Sequence, residues 1–96
     1  MYFVTTIETK KGEIHDTRCV GYFKTFEEAE YVVSHNECDI EETCYDYAVI
    51  ENIPEGLYQY DFHPVWYKFH KPSGGYIREE ALPNFLKATD VGYAIG

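Results

Sequence analysis

Residues 37–53 read E-C-D-I-E-E-T-C-Y-D-Y-A-V-I-E-N-I, joining the densest acidic run of the chain to its most apolar strand candidate. Within it, Tyr47, Ala48, Val49 and Ile50 are apolar at consecutive positions. A strand with one wet face alternates, so an unbroken run predicts a strand covered on both faces, and 47–50 is expected at the centre of the sheet. The acidic stretch before it, residues 37–43, reads as a loop or a frayed turn pinned by Ile40. Ile53-Pro54-Glu55-Gly56 ends the strand with Pro at the second and Gly at the fourth turn position, a type I signature.

Working outward toward the N-terminus, residues 2–8 alternate Phe3, Thr5 and Ile7 against Tyr2, Val4 and Thr6, as a β-branched and aromatic strand does. Lys10-Lys11-Gly12 is a turn, and residues 13–22 return as a second strand, too weakly apolar for anything but an edge. Gly21 marks a bulge or an exit toward the helix. Thr25-Phe26-Glu27-Glu28 is a capping box, in which the Thr25 hydroxyl accepts from the Glu28 N–H and the Glu28 carboxylate reaches back to the Thr25 N–H. Phe26, Ala29, Val32 and Val33 then recur at helical spacing, and the early glutamates suit the positive end of the helix dipole. The helix is expected to run to His35, with Asn36 as C-cap. A protonated His35 is favoured there, although a solvated surface histidine is the plainer reading.

Toward the C-terminus, 57–64 is aromatic without a clear period and reads as a loop with room for a short strand. Residues 65–70 alternate Val65, Tyr67 and Phe69 against Trp66, Lys68 and His70. Residues 71–75 have hairpin-loop composition, 76–79 are the partner strand, Pro83 opens a short helix over 83–88, and 92–95 form a last strand. The expectation is a single α+β domain over 1–96. Its sheet is mostly antiparallel, of about five or six strands, with one main helix over 26–35 on one face.

Ninety-six residues suffice for one core without metal or disulfide staples. With 18% aromatic residues, including ten Tyr, six Phe and one Trp, core volume comes largely from rings. Buried phenols need hydrogen-bond partners, so many tyrosines belong at the boundary. The sequence has no apolar run of about 18 residues and no signal-peptide features at its N-terminus, which predicts a cytoplasmic protein. Cys19, Cys38 and Cys44 match neither a zinc ribbon nor a redox C-x-x-C, and read as reduced, apolar side chains.

The net charge of −9 is unevenly distributed. Residues 25–67 contain no Lys or Arg and eleven acids: Glu27, Glu28, Glu30, Glu37, Asp39, Glu41, Glu42, Asp46, Glu51, Glu55 and Asp61. All eight basic residues lie outside that span with the six other acids, so the middle carries −11 and the ends together +2. Such a field repels nucleic acid and anionic membranes, whose binding needs Lys and Arg, and points to a protein partner with basic surface.

The segments G-Y-F-K-T-F-E-E-A-E-Y-V-V, C-D-I-E-E-T-C-Y-D-Y-A-V-I-E-N-I-P-E-G-L-Y, W-Y-K-F and F-L-K-A-T-D-V-G-Y-A-I-G come in an order that resembles a group of small uncharacterised proteins of gut Firmicutes and their prophages. The resemblance spans nearly the whole chain and brings no assigned activity or functional residues. It implies a cytoplasmic bacterial or phage accessory protein, and by analogy of setting an inhibitor or sponge acting on host defence.

Several constellations invite chemistry. Asp39, Glu41, Glu42 and Asp46 resemble a hard-cation loop but lack the glycine of an EF-hand, so a solvated acidic loop is the plainer reading and no metal or cofactor is expected. No protease signature surrounds any cysteine, and His15, His63 and His70 read as surface or boundary residues, so no catalytic residue is assigned and the protein is expected not to be an enzyme. Tyr58, Tyr60, Phe62, Trp66, Tyr67 and Tyr76 are either core and boundary packing or an aromatic contact surface. The first functional expectation is a binding surface for a basic protein, made of Glu37, Asp39, Glu41, Glu42, Asp46, Tyr58, Tyr60 and Trp66. The alternative is a homo-oligomeric sponge for a nucleotide-type signal, using Arg18, Arg78 and stacking on Tyr76, although a solvated or salt-bridged surface arginine is the plainer reading of each arginine.

Overall fold

The computed structural model describes residues 1–35, 45–54, 64–72, 74–80, 82–83, 86 and 93. The elements are β1 (Tyr2–Lys10), β2 (Glu13–Phe23), α1 (Phe26–Ser34), β3 (Tyr47–Asn52), β4 (Val65–His70) and β5 (Gly75–Arg78). The five strands form one antiparallel sheet in the order β2-β1-β3-β4-β5, so the apolar 47–50 run is the central strand. This is the α+β architecture expected from the sequence.

Side-chain alternation sorts the sheet into two apolar layers. Val4, Ala48, Ile50, Tyr67 and Tyr76 meet Ala29 and Val33 of α1. On the other side, Ile7, Tyr47, Val49 and Trp66 pack with Leu86, flanked by Leu82 and Tyr93. β3 is thus covered twice, and β4 divides as its alternation predicted, with Tyr67 toward the helix and Trp66 away from it. Glu51 shares the face of Tyr47 and Val49 and is buried, and its Oε2 accepts the Tyr93 backbone N–H at 3.0 Å. A carboxylate at that depth requires such donors.

The helix start is set by Thr25, whose Oγ1 accepts the Glu28 N–H at 3.2 Å. The second half of the expected box differs: the Thr25 hydroxyl itself donates to Glu28 Oε1 at 3.0 Å, because one hydroxyl can accept and donate at once. The helix ends at Ser34 with His35 as cap, its N–H bonded to the Tyr31 carbonyl at 3.0 Å. β2 lies at the edge as expected, and its irregularities fall between Val4/Thr5 and Glu8/Thr9, which leaves Val20 and His15 without a partner opposite. The expected bulge is therefore one residue before Gly21, which pairs with Val4. The acidic loop 37–43, the Asn36 cap, the turn at Glu55 and Gly56 and the segment 57–63 lie outside the described residues. The C-terminal helix and last strand also lie largely outside them, although the Leu86 N–H bonds the Pro83 carbonyl at 3.1 Å.

The β1–β2 hairpin closes through Lys11 and Gly12, both left-handed at φ 54° and 76°. Two consecutive positive φ values define the type I′ turn that matches strand twist, and lysine is costly at the first of them. Replacing Lys11 by Asn should raise stability by roughly 0.5–1 kcal/mol in urea unfolding. Gly12→Ala should cost about 1–2 kcal/mol, a purely conformational loss, since no atom lies within 4 Å of the added Cβ.

Candidate functional site

α1 presents two different surfaces to its surroundings. Phe26 and Glu30, one turn apart, face the edge of the sheet at β4 and β5. Glu30 Oε2 accepts from the Tyr67 hydroxyl at 2.5 Å and from Arg78 Nε at 2.8 Å, and Arg78 Nη2 lies 2.7 Å away. The Arg78 guanidinium carbon sits 5.4 Å from the Phe26 ring centroid, so one arginine meets the carboxylate through its N–H groups and the ring through its charge. Hydrogen bonds to an ionised acceptor are short, and these tie helix to sheet.

The cluster shifts the titration of its members. Burial pushes the Glu30 carboxyl up, but the hydrogen bonds from Tyr67 and Arg78, with the arginine charge, outweigh it and hold the group below its ordinary value of 4.5. Burial, followed by the bond to Glu30, drives the Tyr67 phenol far above its ordinary value of 10.0. The hydrogen bond to Glu30 also raises Arg78. Tyr67 therefore stays a neutral donor and Glu30 an ionised acceptor throughout the neutral range.

The second surface of α1 is a shallow groove of about 390 Å³ between the helix and the end of β2, lined by Phe23, Glu27, Glu28, Tyr31 and Val32. Tyr31 is 55% exposed, and the His35 ring stacks on it at 4.0 Å between centroids. No basic residue occupies the last turn of the helix. Acid and aromatic surface thus coincide here.

The residues singled out in the sequence are distributed as follows. Glu37, Asp39, Glu41, Glu42, Tyr58 and Tyr60 lie outside the described residues. Asp46 is half-buried and its Oδ2 accepts from the backbone N–H and hydroxyl of Thr9 at 2.9 and 2.7 Å, closing the sheet where β3 meets β1. Trp66 lies in the apolar layer opposite the helix, edge-on to Tyr93. Tyr76 is a core residue whose hydroxyl donates to the Tyr45 carbonyl at 3.2 Å, so its ring offers no open stacking face. Arg18 is exposed on β2, on a different edge of the sheet from Arg78. Of the proposed ligand set, Arg78 and Tyr76 share β5, but Arg78 is held by Glu30.

Sequence reasoning missed Glu30 and the α1 groove. The helical spacing of Phe26 with Glu30 and of Glu27 with Tyr31 was readable, but the strand partner was not. Among the described residues, no group of three or more His, Cys, Asp or Glu is placed to hold a metal ion, and no helix is long and apolar enough to cross a membrane. The chain matches no family model, no curated protein and no solved structure.

The cluster predicts a pH signature at both ends of the range. Glu30 has a depressed folded value, so its contribution is present above 4.5 and lost as pH falls through the lower folded value. Tyr67 has a raised folded value, so its contribution is present below 10.0 and lost as pH rises through the folded value. Tyr67→Phe should cost about 1–3 kcal/mol at neutral pH and flatten the alkaline limb of stability against pH. In the parent protein, Tyr67 should show no tyrosinate absorbance until the fold is lost.

Proposed function

We propose that this protein is a non-enzymatic acidic binding module that engages a basic protein partner. The observation that carries the reading is the exposed flank of α1, where Glu27, Glu28 and Tyr31 line one groove within a stretch, residues 25–67, that has no Lys or Arg. Carboxylates there steer a basic surface during approach, and the tyrosine supplies contact area at small entropic cost. The acidic run with Glu37, Asp39, Glu41 and Glu42 extends the same field along the sequence. Asp46 joins through its charge, while its Oδ2 remains bonded to Thr9. An inhibitor that imitates nucleic-acid charge, in a bacterial or phage setting, is the role this chemistry suits. A nucleotide sponge built on Arg18, Arg78 and Tyr76 is the weaker reading, because Arg78 must leave Glu30 and Tyr76 must leave the core before either meets a ligand.

Salt and charge reversal test the reading. A partner captured from host lysate and then purified should be basic, and the affinity of the purified pair should fall at least about tenfold between low and high salt. The double reversal Glu27→Lys with Glu28→Lys should weaken the pair, and reversal at Glu41 and Glu42 should add to the loss. An acidic partner, or an affinity indifferent to salt and to all four reversals, would contradict the proposal.

A further inference from the structure

α1 carries the same pairing of residue types twice. Phe26 and Glu30, at i and i+4, hold Arg78, with the guanidinium charge near the ring and its N–H groups on the carboxylate. Glu27 and Tyr31 are also at i and i+4, in the reverse order along the helix, on a flank rotated by about 100°. They line the groove with Phe23, Glu28 and Val32. Among the described residues this pairing has no cation: the Glu27 carboxylate makes no hydrogen bond or ion pair there. Glu28 has one oxygen on the Thr25 hydroxyl and adds a second negative charge beside it. His35 stacks on one face of Tyr31, which steadies the ring and still leaves the residue 55% exposed.

We infer that the groove is an arginine-recognition point, taking one guanidinium from a basic segment of the partner onto Tyr31 and Phe23, with its N–H groups directed to Glu27. This inference rests on the proposed binding of a basic partner and specifies the side chain read. Arginine is the occupant because a flat guanidinium can stack by its face and donate from its edge at the same time, and Arg78 already pairs a ring and a carboxylate within this fold. The ammonium of lysine is a compact, strongly hydrated point charge and satisfies only the carboxylate.

The test uses the full chain, labelled for amide NMR and titrated with tetra-arginine and tetra-lysine peptides at low salt. Tetra-arginine should bind at least about fivefold more tightly than tetra-lysine and should move the amide signals of Glu27, Tyr31 and Val32 most. Glu27→Gln and Tyr31→Ala should each abolish most of that preference, while Tyr31→Phe, which keeps the ring, and Glu13→Gln on exposed β2 should retain it. Equal affinity for the two peptides, or shifts centred away from α1, would overturn the arginine site and leave charge-driven partner binding standing. Failure of both peptides to bind would overturn the site and count against the basic-partner reading as well.

Discussion

Everything else in this fold depends on the burial of β3 from both sides. Ala48 and Ile50 face Ala29 and Val33 of the helix, while Tyr47 and Val49 face Leu86. A strand so placed cannot carry an unsatisfied polar group cheaply, and the chain meets that constraint by long-range bonds. Glu51 takes the Tyr93 N–H, and the backbone of Asp46 extends the ladder on both sides, donating to Ile7 and accepting from Phe69. Among the described residues Thr5 is the exception: fully buried beside Val49, its hydroxyl has no hydrogen-bond partner there, a defect of about 1–3 kcal/mol.

The same constraint decides where the charge goes. A core built from rings needs partners for its phenols, and the two most deeply buried tyrosines among the described residues find them in Glu30 and in the Tyr45 carbonyl. Glu30 is thereby drawn into the structure as the acceptor that ties helix to sheet, with Arg78 completing its neutralisation. Glu27 and Glu28, on the outer side of the same helix, are left to act on solvent and on anything that approaches. One helix therefore has a charge that holds the fold together and charges that face outward, and the proposed function lives on the second set.

Much of the framework was legible because it is local. The unbroken apolar run at 47–50, the two-residue alternation at 65–70, the capping threonine and the weakly apolar edge strand each carry their signal within a few residues, and each element lies where that signal put it. The candidate site was legible only in part. Asp46 looked like one more member of an acidic run, yet it serves Thr9 of β1; Arg78 read more plainly as a solvated or salt-bridged arginine than as a ligand contact, but its partner, a helix residue far away in sequence, was not readable. Composition cannot distinguish an acid that will meet a donor from one that will not, because the donor arrives through the sheet order. The aromatic residues show the same limit: Trp66 and Tyr76 belong to the core, whereas Tyr31, which attracted no notice in the sequence, is exposed beside two carboxylates.

Amide hydrogen exchange under native conditions tests the central role of β3 most directly. If both faces of this strand are covered, the amides of Ala48, Val49 and Ile50 should be the slowest in the chain and should exchange only through global unfolding, with the same denaturant dependence as the protein itself. The outer residues of β2, from Ile14 to Cys19, should exchange far faster through local opening. Exchange of the β3 amides at rates like those of β2, or with little denaturant dependence, would contradict the account.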